Sequence, residues 1–477
     1  MKHEMMRGQA RMPMEHGQIT RDERRKMTIE HHKATAWLPV LTTVFGLWLA
    51  TTPTFVQYRN VGHARSDVAA GALAIALSVI WLRFPLRFLA QWAIAGLGFW
   101  LLLAPLVFWS GAAEFATDAF IGIFLIAAPL LIGEMPGMMM VMKVGPQVPP
   151  GWTYNPSSWL QRAPIIALAI ISFFASRYLA SFQLGHISGV WDPVFGDGTR
   201  RVLTSEVSRA WPISDAGLGS ISYLLEALMG FMGGQDRWRT MPWMVTFFGI
   251  LVVPLGTVSI VLVIMQPVVV GAWCTLCLLT ALLMLVMIPL TLDEVWAMGE
   301  FLVRSHRAGK PFWRTFFFGD TIEGGAEEDS RIPAIDSQTP KFLPAMVWGI
   351  SLPWNFLASA AVGVWLMLAP AVFGTTNSAA DADHLLGALI VTGSATLSAE
   401  VARPFRRLNS LLGLAVAVSP FFTSGSTGLS IFDDVLVGLL VIALNLPRGK
   451  ITEHYGLWDR YLGLRGRAAV RPRQRAA

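Results

Sequence analysis

Charge is scarce in this chain of 477 residues: 14% of them are charged, against a hydrophobic fraction of 54%. A soluble domain carries about 25% charged residues. A water-soluble fold is therefore excluded, and the long apolar runs read as membrane helices of about 20 residues each. Alternation of apolar and polar residues is missing as well, which excludes an outer-membrane barrel. The first 35 residues hold charges of both signs and no apolar core, so no cleavable signal peptide is expected, and the span that begins near Ala36 is expected to be a retained anchor. No phosphate-cradling loop and no Ser-His-Asp pattern stands out. The net charge of +6 is explained by basic cytoplasmic loops rather than by nucleic acid. Cysteine is scarcest of all, with two residues.

Those two lie together, in Gly271-Ala272-Trp273-Cys274-Thr275-Leu276-Cys277-Leu278-Leu279-Thr280, with apolar sequence on both sides. A Cys-x-x-Cys pair closes a small disulfide ring and can cycle between dithiol and disulfide. At the mouth of a membrane helix it can face both a water-borne thiol and a lipid-borne electron carrier. Zinc needs four ligands in a structural site; there is no second cysteine pair, and His186 alone does not complete a set, so no metal site is expected.

Twelve apolar segments are expected to span, at roughly 36–56, 68–83, 88–109, 118–142, 163–183, 217–233, 242–265, 270–291, 343–370, 383–399, 410–421 and 433–447. With the N-terminus inside, 31 of the 37 Lys and Arg fall on the inner side and five, Arg59, Arg65, Arg200, Arg201 and Arg209, on the outer. That bias sets the orientation. Both termini are expected in the cytoplasm and Cys274 near the outer face, where disulfides persist.

Four segments share one pattern: Gly46, Pro53, Asp67, Gly71; Gly98, Pro105, Asp118, Gly122; Gly363, Pro370, Asp383, Gly387; and Gly413, Pro420, Asp434, Gly438. Each reads as a helical hairpin in which Pro ends the outgoing helix, Asp caps the returning one, and Gly lets a neighbour approach closely. A proton path through the four carboxylates is the sharper reading, and a helix cap the plainer one. With Ser351-Leu352-Pro353-Trp354 ahead of the third copy, the pattern resembles the short membrane repeat named for its Ser-Pro-Trp motif, abbreviated SPW. The resemblance implies a fold and is nearly silent on function. The organisation expected is a cytoplasmic tail (1–35), a repeat pair (36–145), a four-helix unit (160–300), a flexible cytoplasmic linker (301–342), a second repeat pair (343–447) and a basic cytoplasmic tail (448–477).

The central unit carries four spans, a long outer loop after the first, and Cys-x-x-Cys at the start of the fourth. Its Trp273-Cys274-Thr275-Leu276-Cys277 helix start, Val202-Leu203-Thr204-Ser205 segment and Pro212-Ile213-Ser214-Asp215-Ala216-Gly217-Leu218-Gly219 stretch resemble the vitamin K epoxide reductase family, particularly its bacterial quinone-dependent branch. The resemblance covers under a third of the chain. It implies an all-α integral membrane protein of the bacterial inner membrane, with a central four-helix bundle flanked by the repeats. It also implies a thiol–disulfide oxidoreductase that passes electrons from an extracytoplasmic, thioredoxin-like dithiol through Cys274 and Cys277 to a quinone, ubiquinone or menaquinone. Cys274, nearer the surface, would exchange with the partner. Cys277, one turn deeper, would face the quinone. Asp215, Ser205, Thr280 and Ala281 would line the quinone pocket, although Asp215 as a helix cap and Ser205 as a loop hydrogen-bonding residue are plain alternatives. The family commonly has two further cysteines in the outer loop. Here that stretch, about 184–215, has none, and Thr199 and Trp191 stand about where they would be expected. Either the partner dithiol reaches Cys274 directly, or turnover is lost. A non-catalytic scaffold or quinone-binding protein on the same fold is the alternative to the enzyme. Transport is disfavoured, because the repeats lack broken helices with polar residues at mid-span.

Overall fold

A computed structural model describes residues 21–84, 89–132, 145–333 and 342–464. The start of the N-terminal tail, the end of the first repeat pair, linker positions 334–341 and the basic tail from 465 lie outside these residues. A helix stands at each of the twelve apolar segments: α1 (Trp37–Thr51), α2 (Val61–Arg83), α3 (Leu89–Val107), α4 (Ala112–Ala127), α5 (Trp159–Gln183), α6 (Asp215–Phe231), α7 (Pro242–Met265), α8 (Thr275–Arg307), α9 (Trp354–Phe373), α10 (Asn377–Thr396), α11 (Arg406–Val418) and α12 (Gly428–Asn445). Among the described residues eight helices are long and apolar enough to cross a membrane, or nine if α1 is joined to the bent helix before it. The count of twelve spans is not confirmed by length and composition: α6 and α11, with 17 and 13 residues, are short, and α10 carries Asp381, Asp383 and His384 in its first two turns. The protein is a multi-pass membrane protein whose helix ends gather at two faces. One, here the cysteine face, carries the α1–α2, α3–α4, α5–α6 and α7–α8 connections.

Within each repeat hairpin the two glycines meet. A Cβ on Gly46 would lie 2.8 Å from the Gly71 carbonyl oxygen, and one on Gly98 would lie 2.7 Å from that of Gly122. Gly363 with Gly387 and Gly413 with Gly438 repeat the contact. Backbones packed this closely gain van der Waals contact where hydrophobic driving force is absent. The aspartates, however, are not caps. The residues that open α2, α4, α10 and α12 are Asn60, Gly111, Thr376 and Thr427, each seven positions before its Asp. Asp67, Asp118, Asp383 and Asp434 thus stand two turns, roughly 10 Å, inside their helices, and all four are buried. The apolar pattern misplaces the helix starts because polar residues interrupt the first two turns.

The face opposite the cysteines is knit by buried charge. Arg237 donates to both carboxylate oxygens of Glu294 on α8, at 2.6 and 2.5 Å, and to the carbonyls of Met229 and Met232 at the end of α6. Arg162 donates to the carbonyls of Gly230, Met232 and Gly233. Tyr154 donates to Asp293 on α8 at 2.5 Å, and Glu400, in the turn after α10, accepts from the backbone of Thr452 and Glu453. The linker is not a free tether over its described part. Asp329 accepts the Asn155 N–H at 2.8 Å, Arg331 pairs with Glu453 at 2.6 Å, and Val148 bridges to Ala326. An apolar core centred on Trp238, Phe248, Met287 and Phe301 continues into Phe356 and Leu397 of the second repeat pair.

Candidate redox site

The cysteine pair stands where the chain turns from α7 into α8. The turn Gln266–Val270 is followed by Gly271 at φ 63°, a left-handed conformation that glycine adopts without strain. Cys274 is the N-cap of α8, and its Sγ accepts the Cys277 N–H at 3.1 Å. Its own N–H donates to Gln266 Oε1 at 2.9 Å. Cys274 and Cys277 are disulfide-bonded, with Cα atoms 5.3 Å apart. Reduction here would release thiolates against the free N–H groups and positive dipole end of a helix, which favours the charged form.

The two sulfurs differ in surroundings. Cys274 has no exposed surface in this state. The cause is the loop between α5 and α6. Its short helix Gly198–Leu203 lies across the pair, and Leu179, Val202, Leu203 and Ala272 pack around Cys274. Backbone approach is closest at Gly198, where any Cβ would overlap the Trp273 carbonyl oxygen. Asp192 fastens the loop. Its carboxylate accepts the N–H groups of Val194, Phe195 and Thr199 and the hydroxyls of Thr199 and Thr275, the last being one of the two residues between the cysteines. Burial pushes this carboxyl up, but the hydrogen bonds from Thr199, Thr275, Phe195 and Val194 outweigh it and hold the group well below the usual carboxylate range. Thr199 and Trp191 therefore play unlike parts: one is a buried hydrogen-bonding residue of the loop, the other is exposed.

Cys277 faces a cavity of about 110 Å³ beneath the loop. Polar groups of Ser205, Ser208, Asp215, Tyr223 and Thr280 line it with Cys277, and Leu262, Val263 and Met265 of α7 form an apolar wall. Three of the four expected pocket residues are thus brought together. Ser205 donates to the Val202 carbonyl at 2.7 Å, and Thr280 to that of Cys277 at 2.9 Å. Asp215 is not the cap of α6; Ser214 is, accepting the Gly217 N–H. The Asp215 carboxylate instead accepts from Gln183 at 2.5 Å and Ser208 at 2.9 Å, tying the loop to α5. Ala281 is buried and is not part of the lining. Arg177 and Glu226 do not pair: Arg177 stacks over Phe115, while Glu226, fully buried one turn beyond Tyr223, has no hydrogen-bond partner on either oxygen among the described residues. His186 donates to the Ser110 carbonyl at 2.9 Å, remote from metal chemistry. Sequence reading missed Asp192 and Gln266. Nothing in the sequence sets Asp192 apart from Asp197 and Glu206 of the same loop.

Comparison with known proteins divides the chain in the same way. Residues 163–292 match the profile of the vitamin K epoxide reductase family, and residues 36–132 and 353–447 match that of the SPW repeat domain. The first match points to redox activity at the membrane; each covers less than half of the chain. No curated protein and no solved structure matches.

Proposed function

We propose that the central unit is a membrane thiol–disulfide oxidoreductase in which Cys274 and Cys277 take electrons from an extracytoplasmic dithiol and pass them to a quinone. One observation carries this reading: Cys277 lines a cavity together with hydroxyl and carboxylate side chains and with the aliphatic side chains of α7. That donor set suits a flat ring with two carbonyl oxygens and a hydrocarbon tail. A partner dithiol attacks the disulfide, leaves as its own disulfide, and reduces both cysteines. A bound quinone supplies the acceptor: two electrons and two protons leave the dithiol, giving quinol and restoring the Cys274–Cys277 disulfide. Tyr223 and Asp215 hold and orient the ring, and the loop excludes water. Cys274 exchanges with the partner once the loop lifts. The basic residues support an orientation with both termini in the cytoplasm of a bacterial inner membrane.

The test uses purified protein with excess small dithiol and a short-chain quinone. Wild type produces quinol, and Cys277→Ser abolishes it while leaving Cys274 to trap a mixed disulfide with the partner in cells. A wild-type protein that yields no quinol and no adduct sinks the proposal. The second reading, a non-catalytic scaffold, is favoured by the sealing of Cys274 under a loop that holds no cysteine of its own.

A further inference from the structure

The first repeat pair holds a second constellation, at the cysteine-face end of α2 and α4. His63 Nε2 lies 2.7 Å from Asp118 Oδ2 and 3.5 Å from Asp67 Oδ1, and His63 Nδ1 lies 3.5 Å from Glu114 Oε2. All four side chains are buried, and the Phe108 ring stacks on the imidazole. Ligand atoms of His63, Asp67 and Asp118 fall within 4.8 Å of one another. Asp67 Oδ1 and Asp118 Oδ1 are buried without a hydrogen-bond partner. No Lys or Arg side chain pairs with the group among the described ion pairs; Arg59 gives Glu114 its backbone N–H and sends its guanidinium to the Leu184 carbonyl. Three carboxylates against one imidazole leave a buried negative charge, which is costly unless protons or a cation offset it.

We propose that His63, Asp67 and Asp118 bind a divalent first-row transition-metal cation. One imidazole with two carboxylates suits zinc, manganese or ferrous iron, and two carboxylates balance the ion's charge. The outer groups are arranged to support it. Glu114 Oε2 stands 3.5 Å from the far nitrogen of His63, which makes no hydrogen bond among the described residues; a small closure there would fix the tautomer of a ligating imidazole. Glu114 is itself held by the N–H groups of Arg59 and Gly111, at 2.8 and 2.7 Å. Tyr58 donates to Asp67 Oδ2 at 2.5 Å, leaving Oδ1 for the ion. With metal bonds of about 2.0–2.2 Å, ligand atoms in a tetrahedral site stand roughly 3.3–3.6 Å apart. The His63–Asp67 separation already fits, and the His63–Asp118 pair opens as its shared proton is released. The second repeat pair is an internal control. Asp383 and Asp434 hold the same positions and are buried with one bare oxygen each, yet Ala379 and Ser430 stand where His63 and Glu114 stand in the first pair. The ion would join α2 to α4 and hold the Tyr58–Arg59 turn that grips Leu184, where the loop over the cysteines begins.

The experiment is elemental analysis of the full-length protein in detergent, followed by chelation and reloading with cobalt(II). The expected result is about one first-row divalent ion per chain, a lower unfolding temperature after chelation, and visible cobalt bands on reloading. Asp118→Asn and His63→Ala lose the metal; Asp383→Asn and Asp434→Asn keep it. Wild type that carries no metal above the detergent blank and gives no cobalt bands overturns the proposal and assigns the cluster to bound protons. Metal retained in the His63 and Asp118 variants overturns it equally. The cobalt reading on wild type needs no variant, so misfolding of a variant does not decide the outcome.

Discussion

Asp192 is the residue on which access to the cysteine pair turns. It accepts bonds from both sides of the gap, from the loop at Val194, Phe195 and Thr199 and from α8 at Thr275. Hydrogen bonds to a charged group contribute about 1.5–3 kcal/mol each. Losing the equivalent of one raises the fraction of open loop at least tenfold. Asp192→Ala is therefore expected to speed reduction of the Cys274–Cys277 disulfide by a water-soluble phosphine about tenfold or more, with the overall unfolding temperature little changed. The sign of the pH effect follows from the lowered carboxyl pKa. Such a group stabilises the closed loop fully above its unfolded pKa of about 4, and the contribution disappears as pH falls through the folded value. Reduction should be flat from neutral pH to about 5 and should accelerate only in stronger acid. A rate that rises between pH 7 and 5, or an unchanged rate in Asp192→Ala, excludes Asp192 as the fastening residue.

At the level of elements, the hairpins and the charged face show what sequence can and cannot convey. Glycine spacing conveyed the close crossings, because a contact between two backbones leaves its mark as a missing side chain at both positions. Prolines marked the helix end in two of the four hairpins: Pro53 and Pro420 lie in the turns that follow α1 and α11, whereas Pro105 and Pro370 lie inside α3 and α9, close to their ends. The cysteine pair was legible as a helix start, since Trp273 and Gly271 break the apolar run before it. The depth of the aspartates was not, because hydropathy places a helix start where the continuous apolar run begins, and Asn60 and Thr427 precede that by about two turns. His63 was missed for the same reason, lying in a turn read as loop. The Arg237–Glu294 pair was also hidden, since its members are 57 residues apart and neither is unusual by itself. It is nonetheless a strong element-level constraint, joining the end of α6 to α8 with both side chains buried. Removing one member of such a pair costs about 3–5 kcal/mol, whereas removing both together costs far less. Arg237→Met should lower the unfolding temperature in detergent sharply, and Arg237→Met with Glu294→Leu should recover a large part of the loss. Equal destabilisation by the single and double variants shows instead that the bonds from Arg237 to the α6 carbonyls dominate.

For the molecule as a whole, the question is why a redox unit sits between repeats. The first repeat pair holds the loop at both of its ends. Arg59 donates to the Leu184 carbonyl at 3.1 Å, where the loop leaves α5, and Trp109 donates to that of Pro212 at 3.1 Å, just before α6. His186 adds a bond to Ser110 between them. None of these residues touches the cysteines or lines the cavity. The repeat pair thus acts as a wall on which the cover over Cys274 is hung, and its own rigidity comes from the glycine crossings. Each of these bonds is partly exposed and is worth about 1 kcal/mol or less. Arg59→Ala with Trp109→Ala should therefore raise the rate of disulfide reduction about five- to tenfold, with the residues around the cysteines unaltered. The second repeat pair supplies the comparison: Trp365 bonds Asp433 on the same face, and among the described residues no hydrogen bond joins it to the loop. Trp365→Ala should leave the rate at the wild-type value. If Trp365→Ala accelerates reduction as much as the double variant, the effect is a general loosening of the helices, and the first repeat pair has no special hold on the redox site.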